Sequence, residues 1–122
     1  VKMIKRMPTN CGDETCSSCV VAGDFIFLSH HAGDHNAEGV EQQMRGCFES
    51  MKKTLESVDS TLNDMVQINL YLKSLKDFDK ARKVFYEYFE GNNFPARMTT
   101  STNFIDEKRL CMIDGTAYNP KK

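Results

Sequence analysis

Arg97 is the residue of this sequence best suited to hold a small anion. It stands in Asn93-Phe94-Pro95-Ala96-Arg97-Met98, ahead of a threonine-rich run that reaches Ile105. Proline fixes its own φ at about −65° and pushes the preceding residue toward extended backbone, so Arg97 leaves from a stiff entry into a strand. A guanidinium presents a planar fork of donors that grips a carboxylate bidentately, and it stays charged at any physiological pH. The competing reading is a surface arginine that follows a turn. A second cluster raises the question of zinc: Cys16 and Cys19 form a Cys-x-x-Cys, and His30, His31 and His35 follow. A structural zinc site takes two spaced ligand pairs, whereas here there is one, and adjacent histidines on a strand point to opposite faces. No metal site and no cofactor are therefore expected.

The elements that must position Arg97 are legible from periodicity. Residues 20–22 and 25–28 flank Gly23-Asp24, and apolar runs around a two-residue turn predict a hairpin whose second strand ends at Ser29. Both faces of that strand are apolar, so one should meet helices and the other should be covered by another subunit. Residues 1–7 alternate loosely before Pro8, which predicts a short edge strand. Val40, Met44, Cys47, Met51, Leu55 and Val58 recur at helical spacing and predict one amphipathic helix over 38–57, its Met and Cys stripe being core.

Residues 59–64 turn into a strand over 65–72, with Val66, Ile68, Leu70 and Leu72 on a dry face against Gln67, Asn69 and Tyr71. Ser74, with Asp77 as the acid of a capping box, opens a second helix to about Phe89, and Gly91 stops it. Two further strands, 98–105 and 110–118, are joined by Asp106-Glu107-Lys108. The order predicts a single α+β domain over 1–122, with two helices on one face of a mixed β-sheet.

Composition narrows the function classes. The 122 residues suffice for one core, and 40% hydrophobic with 27% charged residues is ordinary for a globular domain. No apolar run approaches the roughly 18 residues of a membrane span, so no membrane association is expected. Lys2, Lys5 and Arg6 are not followed by a signal-type apolar core, and a cytoplasmic protein is expected. Lys and Arg total 16 against 17 Asp and Glu, which supplies no basic excess for phosphate backbones and makes nucleic acid an unlikely partner. The five cysteines, at 11, 16, 19, 47 and 111, are odd in number and dispersed, as reduced thiols are.

Three stretches together carry a resemblance. Asn93-Phe94-Pro95-Ala96-Arg97 after an aromatic-rich helix, the glycine-led strand from Gly23 through Phe25-Ile26-Phe27-Leu28 to Ser29, and the strand, turn and helix start from Val66 to Phe78 resemble the Rid family, also called YjgF or L-PSP proteins. The likeness runs over about 23–117. It implies a chorismate-mutase-like fold, a homotrimer whose sheets close into a barrel-like core, and ligand clefts between subunits. Family members that act as enamine and imine deaminases hydrolyse 2-imino or 2-enamino acids to keto acids and ammonia. In that scheme an arginine holds the carboxylate, a hydroxyl or amide positions the nitrogen end, and a last-strand carboxylate activates water.

Carried over residue by residue, the resemblance assigns Arg97 to the carboxylate and Ser29 to the cleft lining. His30 stands where a glycine is usual, Cys16 near the family's tyrosine, and Thr99 where a cysteine is common. The family's last-strand glutamate falls on Met112, whose thioether is only a weak acceptor and no base. Asp114 lies two residues on, on the same face of a strand and about 6 to 7 Å away. The expected function is binding of a small keto, imino or amino acid through Arg97 in an intersubunit cleft, with weak or no deaminase activity. One alternative is an active deaminase with Asp114 as its catalytic base. Another is an endoribonuclease or translation inhibitor of L-PSP type, disfavoured by the near-neutral charge and the lack of a histidine pair in a phosphate cleft.

Overall fold

The computed structural model describes residues 4–120. Six strands form one sheet: β1 (Ile4–Arg6), β2 (Cys19–Ala22), β3 (Phe25–His31), β4 (Met65–Leu72), β5 (Ala96–Ser101) and β6 (Cys111–Tyr118), in the order β1-β2-β3-β6-β4-β5. Every neighbouring pair is antiparallel except β4 and β5, which are parallel. Helix α1 (Gly39–Glu56) links β3 to β4, and α2 (Phe78–Tyr88) is the crossover from β4 to β5 that a parallel pair demands. The α+β architecture with a mixed sheet is therefore the one expected. None of the described helices is long and apolar enough to cross a membrane.

The hairpin forms where the sequence implies, with Ala22 opposite Phe25 and Gly23 at φ 61°, the left-handed conformation that a two-residue turn needs at its first position. Alternation on β3 then separates two environments. Ile26 and Leu28 are buried toward the helices, while Phe25 and Phe27 remain 43% and 49% exposed on the open face. The core lies between the sheet and α1, where Met44, Cys47, Phe48, Met51 and Leu55 meet Ile68, Leu70 and Ile113. Each such side chain contributes about 1.5–3 kcal/mol by leaving water. Phe48 also stacks on Tyr88 at 4.7 Å and meets Phe85 edge-on at 5.0 Å, which locks α1 to α2.

Local readings needed four corrections. Ser74 caps a 3₁₀ turn (Leu75–Asp77), accepting from the Lys76 amide at 3.2 Å, and α2 starts only at Phe78 with no side-chain cap from Asp77. The reciprocal capping box belongs to Thr61 and Asp64, ahead of β4. The strand expected over 98–105 spans Ala96–Ser101, because its sole ladder is with β4 and that ladder ends at Leu72 opposite Ser101. Val66 is exposed, not dry: the β4–β6 register shifts between Met65 and Gln67 and flips its side. At this shift the Gln67 carbonyl lies so close to Gly115 that any side chain there would overlap it. β1 occupies part of the expected N-terminal strand, and its first residues, Val1 to Met3, lie outside the described range.

Candidate functional site

Arg97 enters as the second residue of β5, an edge strand, directly after the Phe94-Pro95 turn. Paired residues of a parallel ladder share a face, and Arg97 stands opposite Ile68 as Thr99 stands opposite Leu70, so both point to the helix side. There the guanidinium lies over two rings of the α2 segment, 5.4 Å from the centroid of Phe78 and 5.2 Å from that of Phe85. Its Nε donates to Thr99 Oγ1 at 3.1 Å. Ring faces attract the cation and hold it in place without using its terminal N–H groups. Among the described residues no carboxylate pairs with Arg97. The side chain opens on a cleft of about 220 Å³ lined with Arg82, Phe85, Tyr86 and Phe94.

Asp114 and Met112 lie on the opposite face. On β6 the buried residues Cys111, Ile113 and Gly115 face the helices, so the intervening Met112 and Asp114 point to the open side. Asp114 stands opposite Asn69, and its two carboxylate oxygens accept from Asn69 Nδ2 at 2.7 Å and from the Tyr71 hydroxyl at 2.8 Å. Burial, reinforced by donation to this carboxylate, pushes the Tyr71 phenol above its ordinary pKa and keeps it a donor. Met112, opposite Tyr71, borders a recess of about 490 Å³ shared with His30, Tyr71, Asp114, Arg109 and Ile105.

The residues singled out from the sequence thus separate into groups. Arg97 and Thr99 meet on the helix side at the sheet edge, whereas His30, Met112 and Asp114 meet on the open face. Within one chain the sheet stands between the arginine and the acid. Ser29 and Cys16 line neither recess: the Ser29 hydroxyl donates to the Ser18 carbonyl at 3.1 Å, and the half-buried Cys16 thiol lies against the Ser17 carbonyl. His31, by contrast with His30, is fully buried, with Nδ1 against the Ser29 carbonyl at 2.7 Å and Nε2 against Thr54 Oγ1 at 2.8 Å. His35 pairs with Asp106, and Cys19 is packed in the core. Among the described residues no three His, Cys, Asp or Glu side chains are grouped to hold a metal ion.

Sequence reasoning missed four contributors. Asn69 and Tyr71 anchor Asp114, and their alternation on β4 was the available signal. Arg82 reaches the Arg97 cleft from α2. Gln43, buried on α1, donates toward the carbonyls of His35, Ala37 and Lys108 and accepts from the Leu110 amide at 2.8 Å, which ties the segment after β3 to the segment before β6. A glutamine beside an apolar stripe carries no sequence mark that it is buried.

Comparison with known proteins gives a consistent picture. The family model described as Endoribonuclease L-PSP matches residues 14–118. A RutC family protein of Pyrococcus horikoshii is 31% identical over 108 residues, covering 84% of this chain and 85% of its own. A Dermatophagoides farinae protein named 2-iminobutanoate/2-iminopropanoate deaminase is 27% identical over 89 residues, covering 68% of this chain and 69% of its own. Among solved structures, a hypothetical protein of Streptococcus pyogenes described as a member of the yjgF family superposes with a TM-score of 0.85 at 29% identity, covering 98% of each chain.

Proposed function

Because the chain belongs to the endoribonuclease L-PSP family, also called Rid or YjgF, we propose that it is a cytoplasmic homotrimer that binds a small keto, imino or amino acid through Arg97, with weak or no deaminase activity. One observation carries the reading: the Arg97 guanidinium is held by two aromatic rings and one threonine, has no acid partner among the described residues, and opens on a cleft. Such a group, charged and with donors available, suits a carboxylate. The trimer reconciles the two separated groups, since the edge of one subunit can meet the open face of the next. Support for that contact comes from the aromatic open face, where Phe25, Phe27 and Tyr118 form one exposed cluster.

Weak chemistry follows from the open-face recess. Met112 offers no proton acceptor of use, and both oxygens of Asp114 already take hydrogen bonds from Asn69 and Tyr71. An enamine or imine deaminase with Asp114 as general base is the second reading, favoured by the deaminase name of the Dermatophagoides relative. The family's endoribonuclease name finds little support in a chain of formal net charge −1.

Calorimetric titration with 2-oxobutyrate tests the central claim. Replacing Arg97 by alanine should weaken binding roughly 10- to 100-fold, the worth of charge-assisted hydrogen bonds to one carboxylate, without altering the fold. Equal affinity in parent and variant would make Arg97 a surface residue and remove the proposal.

A further inference from the structure

The Arg97 cleft contains a second guanidinium for which a monocarboxylate has no use. On α2, Arg82 follows Phe78 by four residues and precedes Phe85 by three, spacings that bring side chains onto one stripe of a helix. Phe78 and Phe85 are the two rings beneath the Arg97 guanidinium. The stripe therefore carries Arg82 to the same opening, and both arginines line it with Phe85, Tyr86 and Phe94. Tyr86 and Phe94 meet edge-on at 5.5 Å, which makes one wall a fixed aromatic surface.

Little on the protein neutralises this pair of cations. Among the described residues the acid paired with Arg82 is Asp79 at 4.0 Å, and the Asp79 side chain is 81% exposed, so the contact is long and screened by water. Two fixed like charges converging on one opening repel each other, and an anion placed between them relieves that repulsion. An anion with two charged ends does so at both guanidiniums.

We propose that Arg82 is a specificity-determining residue that makes this cleft select a doubly anionic ligand, a small carboxylate bearing a second acidic group, over a monocarboxylate of the same length. Arg97 takes the first carboxylate, Arg82 the second acidic group, and the connecting carbons lie against Phe85, Tyr86 and Phe94. The inference rests on the reading of Arg97 as the carboxylate anchor. The second acidic group is a carboxylate or a phosphate, which present the same acceptor oxygens to a guanidinium.

The experiment is calorimetry at low salt with 2-oxopentanoate and 2-oxoglutarate, matched in chain length, and with phosphoglycolate as the phosphate arm, on parent, Arg82→Gln and Arg97→Ala. The parent should bind 2-oxoglutarate or phosphoglycolate at least about tenfold more tightly than 2-oxopentanoate, as one added charge-assisted contact implies. Whichever of the two doubly acidic ligands binds more tightly identifies the second group. In Arg82→Gln that preference should fall to within about twofold, with 2-oxopentanoate weakened less than either doubly acidic ligand, and Arg97→Ala should weaken all three by at least about tenfold. A parent without the preference, or Arg82→Gln retaining it, overturns the role of Arg82 and leaves Arg97 as anchor. Undiminished binding in Arg97→Ala, or no binding by the parent, overturns both readings.

Discussion

Met112 borders the open-face recess without a carboxylate of its own, and a single substitution supplies one. Glutamate is close to methionine in length, and Met112 borders a recess open to water, so a carboxylate there is tolerable as it would not be in a sealed core. Asp114, on the same face, would hold the new acid toward its protonated form by like-charge repulsion, which moves it closer to the range of a working general base. Met112→Glu should therefore raise the conversion of 2-aminoacrylate, generated in situ, to pyruvate, by up to about 10² to 10⁴-fold. A parent that is already fast, together with a slow Asp114→Asn, would instead make Asp114 the base. His31 supports a different expectation. Burial depresses its pKa, outweighing the bond to the Ser29 carbonyl that raises it. Since the unfolded chain then binds the proton more readily, the stabilisation is complete above the ordinary histidine pKa of about 6.5 and is lost as pH falls through the lower folded value. Urea midpoints should drop from pH 7 to pH 5, and the drop should shrink in His31→Gln whatever that variant's absolute stability. An equal slope in both would assign the acid sensitivity to other groups.

At the level of elements, α1 does more than cover the sheet. Through Gln43 it fastens the segment after β3 and the segment before β6, and Gly33 approaches Gly46 so closely that a Cβ on Gly33 would sit 2.5 Å from the Gly46 Cα. Arg109 adds a bond to the Gly33 carbonyl at 2.5 Å, which draws the same two segments together beside the recess. Gln43→Leu keeps the volume but leaves the Leu110 amide and nearby carbonyls unpaired. The expected loss is about 2–3 kcal/mol, since each buried group without a partner costs about 1–3 kcal/mol. Denaturant unfolding measures the loss, and hydrogen exchange at the Leu110 amide should accelerate in the variant. Protection equal to the parent's would show that the clamp is dispensable.

The whole molecule has one face that a single chain does not cover. Phe25 meets both Phe27 and Tyr118 on it, the three at 43%, 49% and 44% exposure, and Met98 on the edge strand is 60% exposed. A patch of this kind on a lone chain invites association. Sedimentation at micromolar concentration should therefore give three times the chain mass of 13.9 kDa. Phe27→Asp should shift that mass toward one chain while leaving helix content intact, because the ring contributes to the open face and not to the core. A parent sedimenting at 13.9 kDa would remove the intersubunit cleft and with it the meeting of Arg97 and Met112.

Local order was written in residues a turn or a pleat apart. The α1 stripe, the existence of the last strand, the hairpin at Gly23-Asp24 and the stiff entry of Arg97 after Pro95 each depend on neighbours within a few positions, and each was legible in the sequence. Even the family likeness rests on such short stretches. Register between strands was not legible, because it is set by pairing across the sheet. The parallel β4–β5 ladder turns Arg97 toward the helices, the antiparallel β4–β6 ladder turns Asp114 the other way, and the shift at Gln67 moves Val66 into water. Counting along the chain relates residue 97 to residue 112 without revealing that a sheet separates them. Arg82 was hidden for the same reason: its helix meets the edge strand only after the crossover closes, and that closure is a property of packing, not of spacing.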